Sequence, residues 1–230
     1  MNQLVVGTEV QKMFGSIAGR YDRANTVLSL GIHHWWRWLL FRGLPKGAPQ
    51  RALDICTGTG DLLPGLAARC AEVVGIDFCA PMLLEGKSKW SALKNLTVLQ
   101  GDGLRLPFKD SSFDLITVAF GVRNFENLEL GLSEIKRILK PGGTVRILEF
   151  GQPKGLIWGK LFRFYSDTIM PQIGGLLTGN RAAYKYLPTT SKLFPCREDF
   201  QAILEKIGFE DSFYQSLTGG IAYIYGAKKL

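Results

Sequence analysis

Ten consecutive residues, Ala52-Leu53-Asp54-Ile55-Cys56-Thr57-Gly58-Thr59-Gly60-Asp61, constrain this chain more than any other stretch. Ala52 to Ile55 is a short apolar run, the pattern of a strand buried on both faces of a parallel sheet. It runs into a turn where Gly58 and Gly60 let the backbone approach a ligand closely. A second apolar run, Val73-Val74-Gly75-Ile76, ends at Asp77, nineteen residues after Gly58. Strand, glycine turn, helix start, strand and acid, in that order, build a pocket for a cofactor with a ribose, whose hydroxyls the acid accepts.

The turn discriminates among cofactors. A Walker A loop needs Gly-Lys-Ser/Thr after its glycines, and this turn has none. A dinucleotide fingerprint needs a third glycine where Leu63 stands, although Gly65 is near. Asp61 would repel a pyrophosphate. A sulfonium cofactor with an amino-acid tail carries no phosphate and tolerates acids, so the turn points to S-adenosylmethionine. A plain strand-to-helix turn with Asp61 as a helix-start acid accounts for one glycine but not for the spacing to Asp77.

Charge is unevenly placed along the 230 residues, which carry a net +8. The core span 51–150 is balanced, whereas residues 1–50 and 151–192 together hold twelve Lys/Arg against three Asp/Glu. Such flanks suit an anionic partner, lipid or nucleic acid, or simply keep the protein soluble. No run reaches the roughly 18 apolar residues of a membrane span. Met1 to Val6 lacks the basic flank and apolar stretch of a signal peptide. Cys56, Cys70, Cys79 and Cys196 have no metal-ligand spacing, so no metal is expected, and scattered free cysteines fit a reducing cytoplasm.

Periodicity predicts one domain. Residues 1–50 form an N-terminal helical cap: a helix over 9–30 with a break near Gly19, then an aromatic helix from Ile32 to Arg42, stopped by Gly43 and Pro45. Residues Gly47 to Gln50 form a loop into the core. In that helix Ile32, Trp35, Trp36 and Leu39 match a packing face, while Arg37, Trp38 and Phe41 point elsewhere. The cofactor-binding core, 51–150, alternates strands at 52–55, 72–77, 96–100, 113–118 and 144–150 with helices at 61–70, 80–90 and 125–139. This alternation implies a mostly parallel sheet with helices on both faces and ligands at the carboxyl ends of the strands. Asp54, Asp77, Asp102 and Ala119 fall at or just past such ends. Residues 151–192 break the rhythm with glycines, prolines, basic residues and aromatics, and read as an insert covering the substrate. Residues 193–230 return to a helix at 197–207 and a closing hairpin, Phe209–Tyr214 with Ile221–Ala227, around Gly219-Gly220.

Longer runs carry a resemblance. The glycine turn is similar to the first motif of class I S-adenosylmethionine methyltransferases, and Gly75-Ile76-Asp77-Phe78-Cys79-Ala80-Pro81-Met82-Leu83 to their second. Phe14-Gly15-Ser16-Ile17-Ala18-Gly19-Arg20-Tyr21-Asp22, Phe120-Gly121-Val122-Arg123-Asn124, Leu139-Lys140-Pro141-Gly142-Gly143 and Tyr184-Lys185-Tyr186-Leu187-Pro188 resemble the UbiE/MenG quinone methyltransferases over nearly the whole chain. Cys79, Ala119 and Thr189 depart from residues common in that family. The resemblance implies a Rossmann-like seven-stranded sheet with one antiparallel strand. It implies methylation of a ring carbon of a prenylated quinol, with demethylmenaquinol favoured, by a cytoplasmic enzyme docked peripherally on the inner, anionic membrane face. Nucleic acid is not an expected partner.

Gly58 and Gly60 let the backbone approach the cofactor or are plain turn glycines, and the resemblance gives Thr59 to the cofactor's amino-acid portion, with Thr59 otherwise a helix cap. Asp77 and Phe78 take the ribose side, and Met82 is either an adenine-face contact or core. Asp102 accepts the adenine amino group, with the Gly103 amide nearby, unless Asp102 merely forms an Asx turn. Arg123 and Asn124 would orient the quinol hydroxyl. The plain alternatives are an Arg123–Glu126 pair and Asn124 as the cap of a helix starting near Phe125. Tyr21 would meet the ring, and His33 is a candidate base or a structural histidine. A methyltransferase for another small aromatic and a non-catalytic S-adenosylmethionine-binding protein are the competing functions. An RNA methyltransferase lacks its Asn/Asp-Pro-Pro-aromatic motif here, and Leu63 and Asp61 disfavour a nicotinamide oxidoreductase.

Overall fold

The computed structural model describes residues 7–44 and 49–230. The segment Met1 to Val6, together with the Pro45 stop and the start of the Gly47 loop, lies outside those residues. Seven strands form one sheet: β1 (Arg51–Ile55), β2 (Glu72–Asp77), β3 (Leu96–Gln100), β4 (Phe113–Ala119), β5 (Leu139–Phe150), β6 (Glu210–Leu217) and β7 (Ala222–Lys228). Their order is β3-β2-β1-β4-β5-β7-β6. Only β7 runs against its neighbours, β5 on one side and β6 on the other. The chain moves outward from β1 to β3 and then returns to β4, so the order reverses between β1 and β4, where a ligand crevice opens in such sheets.

Nine α-helices surround the sheet among the described residues: α1 (Gly7–Leu28), α2 (Ile32–Arg42), α3 (Leu63–Ala67), α4 (Ala80–Trp90), α5 (Leu128–Ile138), α6 (Trp158–Phe164), α7 (Met170–Thr178), α8 (Arg181–Leu193) and α9 (Glu198–Ile207). Strand alternation divides the core. Leu53 and Ile55 of β1 join Ile116 and Val118 of β4 under Leu132 and Ile135 of α5 and Phe200 and Leu204 of α9. On the other face Ala52, Leu115 and Leu148 meet Trp36 and Leu40 of α2 and Leu63 and Leu66 of α3. Each such fully buried aliphatic contributes about 1.5–3 kcal/mol.

The structure departs from the periodicity reading in five places. The first helix does not break at Gly19. Gly15 and Gly19 sit one turn apart on the α4 side, where Gly15 lies beside Pro81 and Gly19 beside Glu85 with room for a methyl group, and the helix runs through both. In α2 the buried stripe is His33-Trp36-Leu40, and Trp35 is exposed, because the Trp36 indole anchors the register by donating to Thr218 Oγ1 at 2.8 Å. The helix after the glycine turn shrinks to Leu63–Ala67. The helix expected from Phe125 begins at Leu128, capped by Asn127, whose side chain accepts from the Leu130 amide at 3.0 Å. Pro141-Gly142-Gly143 does not precede β5 but lies within it, with Gly142 at a φ of 78°.

The insert 151–192 is helical. Its α6 and α7 are joined by one π-helical stretch, Tyr165–Ile169. Met170 of α7 with Ala183 and Tyr184 of α8 packs on Ile17, Ala24 and Leu28 of α1. The insert therefore rests on the N-terminal cap.

Gly86 of α4 holds the cofactor-side geometry. A methyl group there would lie 2.1 Å from the Thr59 carbonyl oxygen. Gly86→Ala gains about 1 kcal/mol of helix propensity but overpacks the turn at a cost of about 1–3 kcal/mol. Urea unfolding should show a net loss of stability; a gain would contradict this close approach.

Candidate active site

The site is built where β1, β2 and β4 end. Asp54 is 2% exposed, and its two oxygens accept the hydroxyls of Thr57 and Thr117, each at 2.6 Å. Burial pushes its carboxyl up to about 7, against the lowering effect of both hydroxyls. Beyond it the backbone twists into the left-handed region at Cys56 (φ 56°), Gly58 (φ 58°) and Gly60 (φ 81°). Phe120, after β4, does the same at φ 57°. Such conformations cost non-glycine residues about 1–3 kcal/mol each and cluster at functional sites. Gly60 faces away from the ligand space: a Cβ there would sit 2.6 Å from the Trp90 ring.

A cavity of about 340 Å³ opens in front of this turn, within the size range of cofactor pockets. Gly58, Asp77, Phe78, Met82, Asp102, Gly103 and Ala119 all line it. Asp77 Oδ2 accepts the Gly58 amide at 2.7 Å and Oδ1 the Cys79 amide at 2.8 Å. Burial raises its pKa while both amides favour the charged form. Each carboxylate oxygen keeps a second lone pair for a hydroxyl. Asp102 does form the Asx turn, accepting the Leu104 amide at 2.9 Å through Oδ1, and it lines the cavity as well. The two readings of Asp102 are compatible because the turn occupies one oxygen.

A second cavity, about 40 Å³, lies on the other side of the glycine turn. Asp54, Thr59 and Asp61 line it, and it shares Tyr21, Cys56, Gly58, Ala119 and Phe120 with the first. Thr59 is not a free helix cap. Its hydroxyl donates to Asp22 Oδ1 at 2.7 Å and accepts from Lys89 Nζ at 2.9 Å. Lys89 also pairs with Asp22 and Asp61, and Arg37 pairs with Asp61 at 2.9 Å. Burial opposes the ionisation of Asp61, but Arg37 and Lys89 outweigh it and hold its carboxyl below the usual range. A large compartment for a nucleoside and a small charged one for an amino acid, with a shared waist, fit S-adenosylmethionine.

The four candidate catalytic residues separate. Tyr21 lines both cavities at their waist, and burial raises its pKa. Asn124 lines the larger cavity and its Oδ1 accepts the Tyr186 hydroxyl at 3.1 Å. It does not cap α5. Arg123 lines neither cavity. Its guanidinium pairs with Glu149 at 2.7 Å, both side chains being 1% exposed or less, and donates to the Phe120 carbonyl. Its alternative partner Glu126 instead accepts the Gly7 amide. His33 also lies outside both cavities, with Nδ1 against Ser29 Oγ at 2.6 Å and its ring on His34.

An N-terminal cap over the site was expected, but two residues of its roof were not assigned. Gln11 and Phe14 of α1 line the larger cavity, and Gln11 Nε2 donates to the Phe78 carbonyl at 2.7 Å. The signal was a helical stripe, Val10-Phe14-Ala18-Tyr21. Arg37 and Tyr186 were also missed, and no local pattern marks them.

Burial, then the Arg37 charge, pushes His33 from 6.5 down to about 4. Between those values His33 binds its proton in the unfolded chain and not in the native one, so its own contribution is a loss of stability as pH falls, against the gain from Asp54, which takes up its proton in the native state over the same window. The slope of the His33 contribution approaches about 1.4 kcal/mol per pH unit. In urea unfolding, His33→Gln should gain stability relative to the wild type as pH falls from 6.5 to 4; parallel curves would contradict a buried neutral imidazole.

Comparison with known proteins agrees with this geometry. The family model described as the ubiE/COQ5 methyltransferase family matches residues 2–229. The chain is 43% identical over 221 residues to the ubiquinone/menaquinone biosynthesis C-methyltransferase UbiE of Bdellovibrio bacteriovorus, covering 94% of each chain. It is 43% identical over 227 residues to the demethylmenaquinone methyltransferase of Deinococcus radiodurans, covering 97% of this chain and 93% of that one. The structure of a SAM-dependent methyltransferase from Aquifex aeolicus shares the fold at a TM-score of 0.62 and 20% identity, covering 84% of this chain and 89% of the other. A Thermotoga maritima SAM-dependent methyltransferase does so at 0.69 and 18%, covering 95% and 99%. The expected fold and cofactor both stand: this chain belongs to the ubiE/COQ5 family of S-adenosylmethionine-dependent methyltransferases.

Proposed function

We propose that this enzyme methylates a ring carbon of a prenylated quinol, with demethylmenaquinol as the preferred acceptor. The observation that carries the reading is the 43% identity, nearly end to end, with a demethylmenaquinone methyltransferase. The waist between the cavities supports it: Tyr21 and Phe120 flank the reacting space, and Asn124 stands beside it.

S-adenosylmethionine supplies an electrophilic methyl group on sulfur. The protein's part is alignment and exclusion of water, worth roughly 7–11 kcal/mol where geometry is favourable. Asp77 and Asp102 hold the nucleoside. Asn124, oriented by the Tyr186 hydroxyl, meets the acceptor hydroxyl whose loss of a proton makes the ring carbon nucleophilic. Arg123, neutralised by Glu149, acts through position: it holds the Phe120–Asn124 turn that presents Asn124. His33, held neutral and away from the cavities, is assigned no proton transfer.

The acceptor's tail lies in a membrane. On α6 Trp158, Leu161 and Phe164 are exposed, and Leu156 and Ile157 just before it are 80% and 85% exposed. Lys154, Lys160 and Arg163 are interspersed. Apolar side chains beside cations suit an anionic lipid interface. Among the described residues no helix is long and apolar enough to cross a membrane, so the proposed attachment is peripheral.

With methyl-labelled S-adenosylmethionine, label should enter the ring of a demethylmenaquinol faster than that of a methoxy-polyprenyl-benzoquinol. Transfer to neither, with cofactor binding intact, would redirect the assignment to another aromatic acceptor or to a silent binder. Asn124→Ala removes about one hydrogen bond to the acceptor, so kcat/KM for the quinol should fall about tenfold or more. S-adenosylhomocysteine affinity should stay within about twofold; equal loss of both would make Asn124 a structural residue. Replacing Leu156 and Ile157 with serine should reduce binding to phosphatidylglycerol vesicles, and wild-type binding should weaken with salt. Binding indifferent to lipid charge, salt and these substitutions would rule the surface out.

A further inference from the structure

Arg37 is the least satisfied cation near the site. Packing of Trp36 and Leu40 beneath the sheet places it on α2, and its side chain is 13% exposed. Nη2 pairs with Asp61 Oδ2 at 2.9 Å. Nε and Nη1 are buried and have no hydrogen-bond partner among the described residues. A buried donor without a partner is costly, and this one borders a polar cavity of about 40 Å³, room for a small polar group.

The other charged side chains that line this cavity are acids, and Lys89 beside it is spent on Asp22, Asp61 and the Thr59 hydroxyl. Asp61 and Asp54 line it, and Asp22 reaches it through the Thr59 hydroxyl. One cation with unspent donors among carboxylates matches a zwitterion: carboxylate to the guanidinium, ammonium to the acids. A guanidinium presents donors in a planar fork that suits a carboxylate. The cavity adjoins the larger one through Gly58 and Ala119, so a ligand with its nucleoside at Asp77 can extend its other end into it.

We propose that Arg37 receives the α-carboxylate of the cofactor's amino-acid end in the smaller cavity, with Asp61 holding the guanidinium in place and facing the α-ammonium. The proposal rests on the family's cofactor and is independent of which acceptor is methylated. It makes Arg37 a binding residue contributed by the N-terminal cap, so the cap reads the part of the cofactor that the nucleoside pocket does not.

Calorimetric titration without any quinol tests it. The three ligands are S-adenosylhomocysteine, its decarboxylated analogue that keeps the amine, and 5′-methylthioadenosine, which lacks the amino-acid end. Arg37→Gln should weaken S-adenosylhomocysteine by about 10–100-fold, the range for a lost charged hydrogen bond. The other two ligands should stay within about threefold. Arg37→Lys, which keeps the charge but not the fork, should fall between. Arg37→Gln combined with Asp61→Asn removes both partners of the amino-acid end, so it should keep the loss of S-adenosylhomocysteine, weaken the decarboxylated analogue through its ammonium, and leave 5′-methylthioadenosine within about threefold. Equal weakening of all three ligands in Arg37→Lys and in the double variant would show Arg37 to be structural. Undiminished S-adenosylhomocysteine binding would place the carboxylate elsewhere. Because no acceptor is present, failure here leaves the quinol assignment untouched, and failure of quinol methylation leaves this result untouched.

Discussion

One buried carboxyl organises the reacting end of the sheet. Asp54 sits in register with Thr117 on the neighbouring strand β4, and accepts that hydroxyl with one oxygen and the Thr57 hydroxyl with the other. Burying an acid is expensive unless its oxygens are satisfied, and two short hydrogen bonds offset that cost here. The Thr57 amide then donates to the Ile76 carbonyl of β2 at 3.1 Å. Strands β1, β2 and β4 and the start of the glycine turn are thereby joined within four residues. Every later contact, including Gly58 to Asp77 and Thr59 to Asp22, depends on the turn leaving the sheet at that point.

A second buried knot shapes the opposite wall. Arg123 and Glu149 exchange charge with almost no exposure, and Glu149 also accepts the Phe150 and Arg123 amides. Such a pair adds little net stability, yet removing one partner costs about 3–5 kcal/mol because the other stays buried and uncompensated. Its effect is conformational. It locks the strained Phe120 and the 3₁₀ turn Val122–Asn124 beside the cavity, and Arg123 lies over the Phe150 ring at 5.3 Å. The Arg123 charge is therefore committed before any substrate arrives.

The N-terminal helix joins the two halves of the reaction. Its first turns roof the nucleoside cavity through Gln11 and Phe14, its middle supplies Tyr21 and Asp22, and Ile17, Ala24 and Leu28 carry the helical insert. The insert returns Tyr186 to Asn124. The cavity lining and the insert thus rest on the same helix.

Much of this was legible from local pattern. Apolar runs and their turns marked all seven strands, the spacing from Gly58 to Asp77 marked two residues that line the larger cavity, and the Gly219-Gly220 hairpin marked the antiparallel strand. These features depend on neighbours a few residues apart, where sterics and periodicity suffice. The end of β3 likewise marked Asp102, and its plain reading as an Asx turn is also met. What tertiary structure decided lies in pairs distant along the chain. Glu149, not Glu126, holds Arg123, because β5 passes beside the β4 turn. Gly19 stays helical beside α4, and Asn124 is freed from capping because Asn127 takes that place. His33 turns into the cap rather than the cavity, and Arg37 reaches the glycine turn because Trp36 sets the rotation of α2. The sequence by itself determined the sheet, the cofactor turn and the family. Which charged side chains face the cavities and which are spent on one another was decided only when distant elements packed, because burial selects partners by space and not by order along the chain.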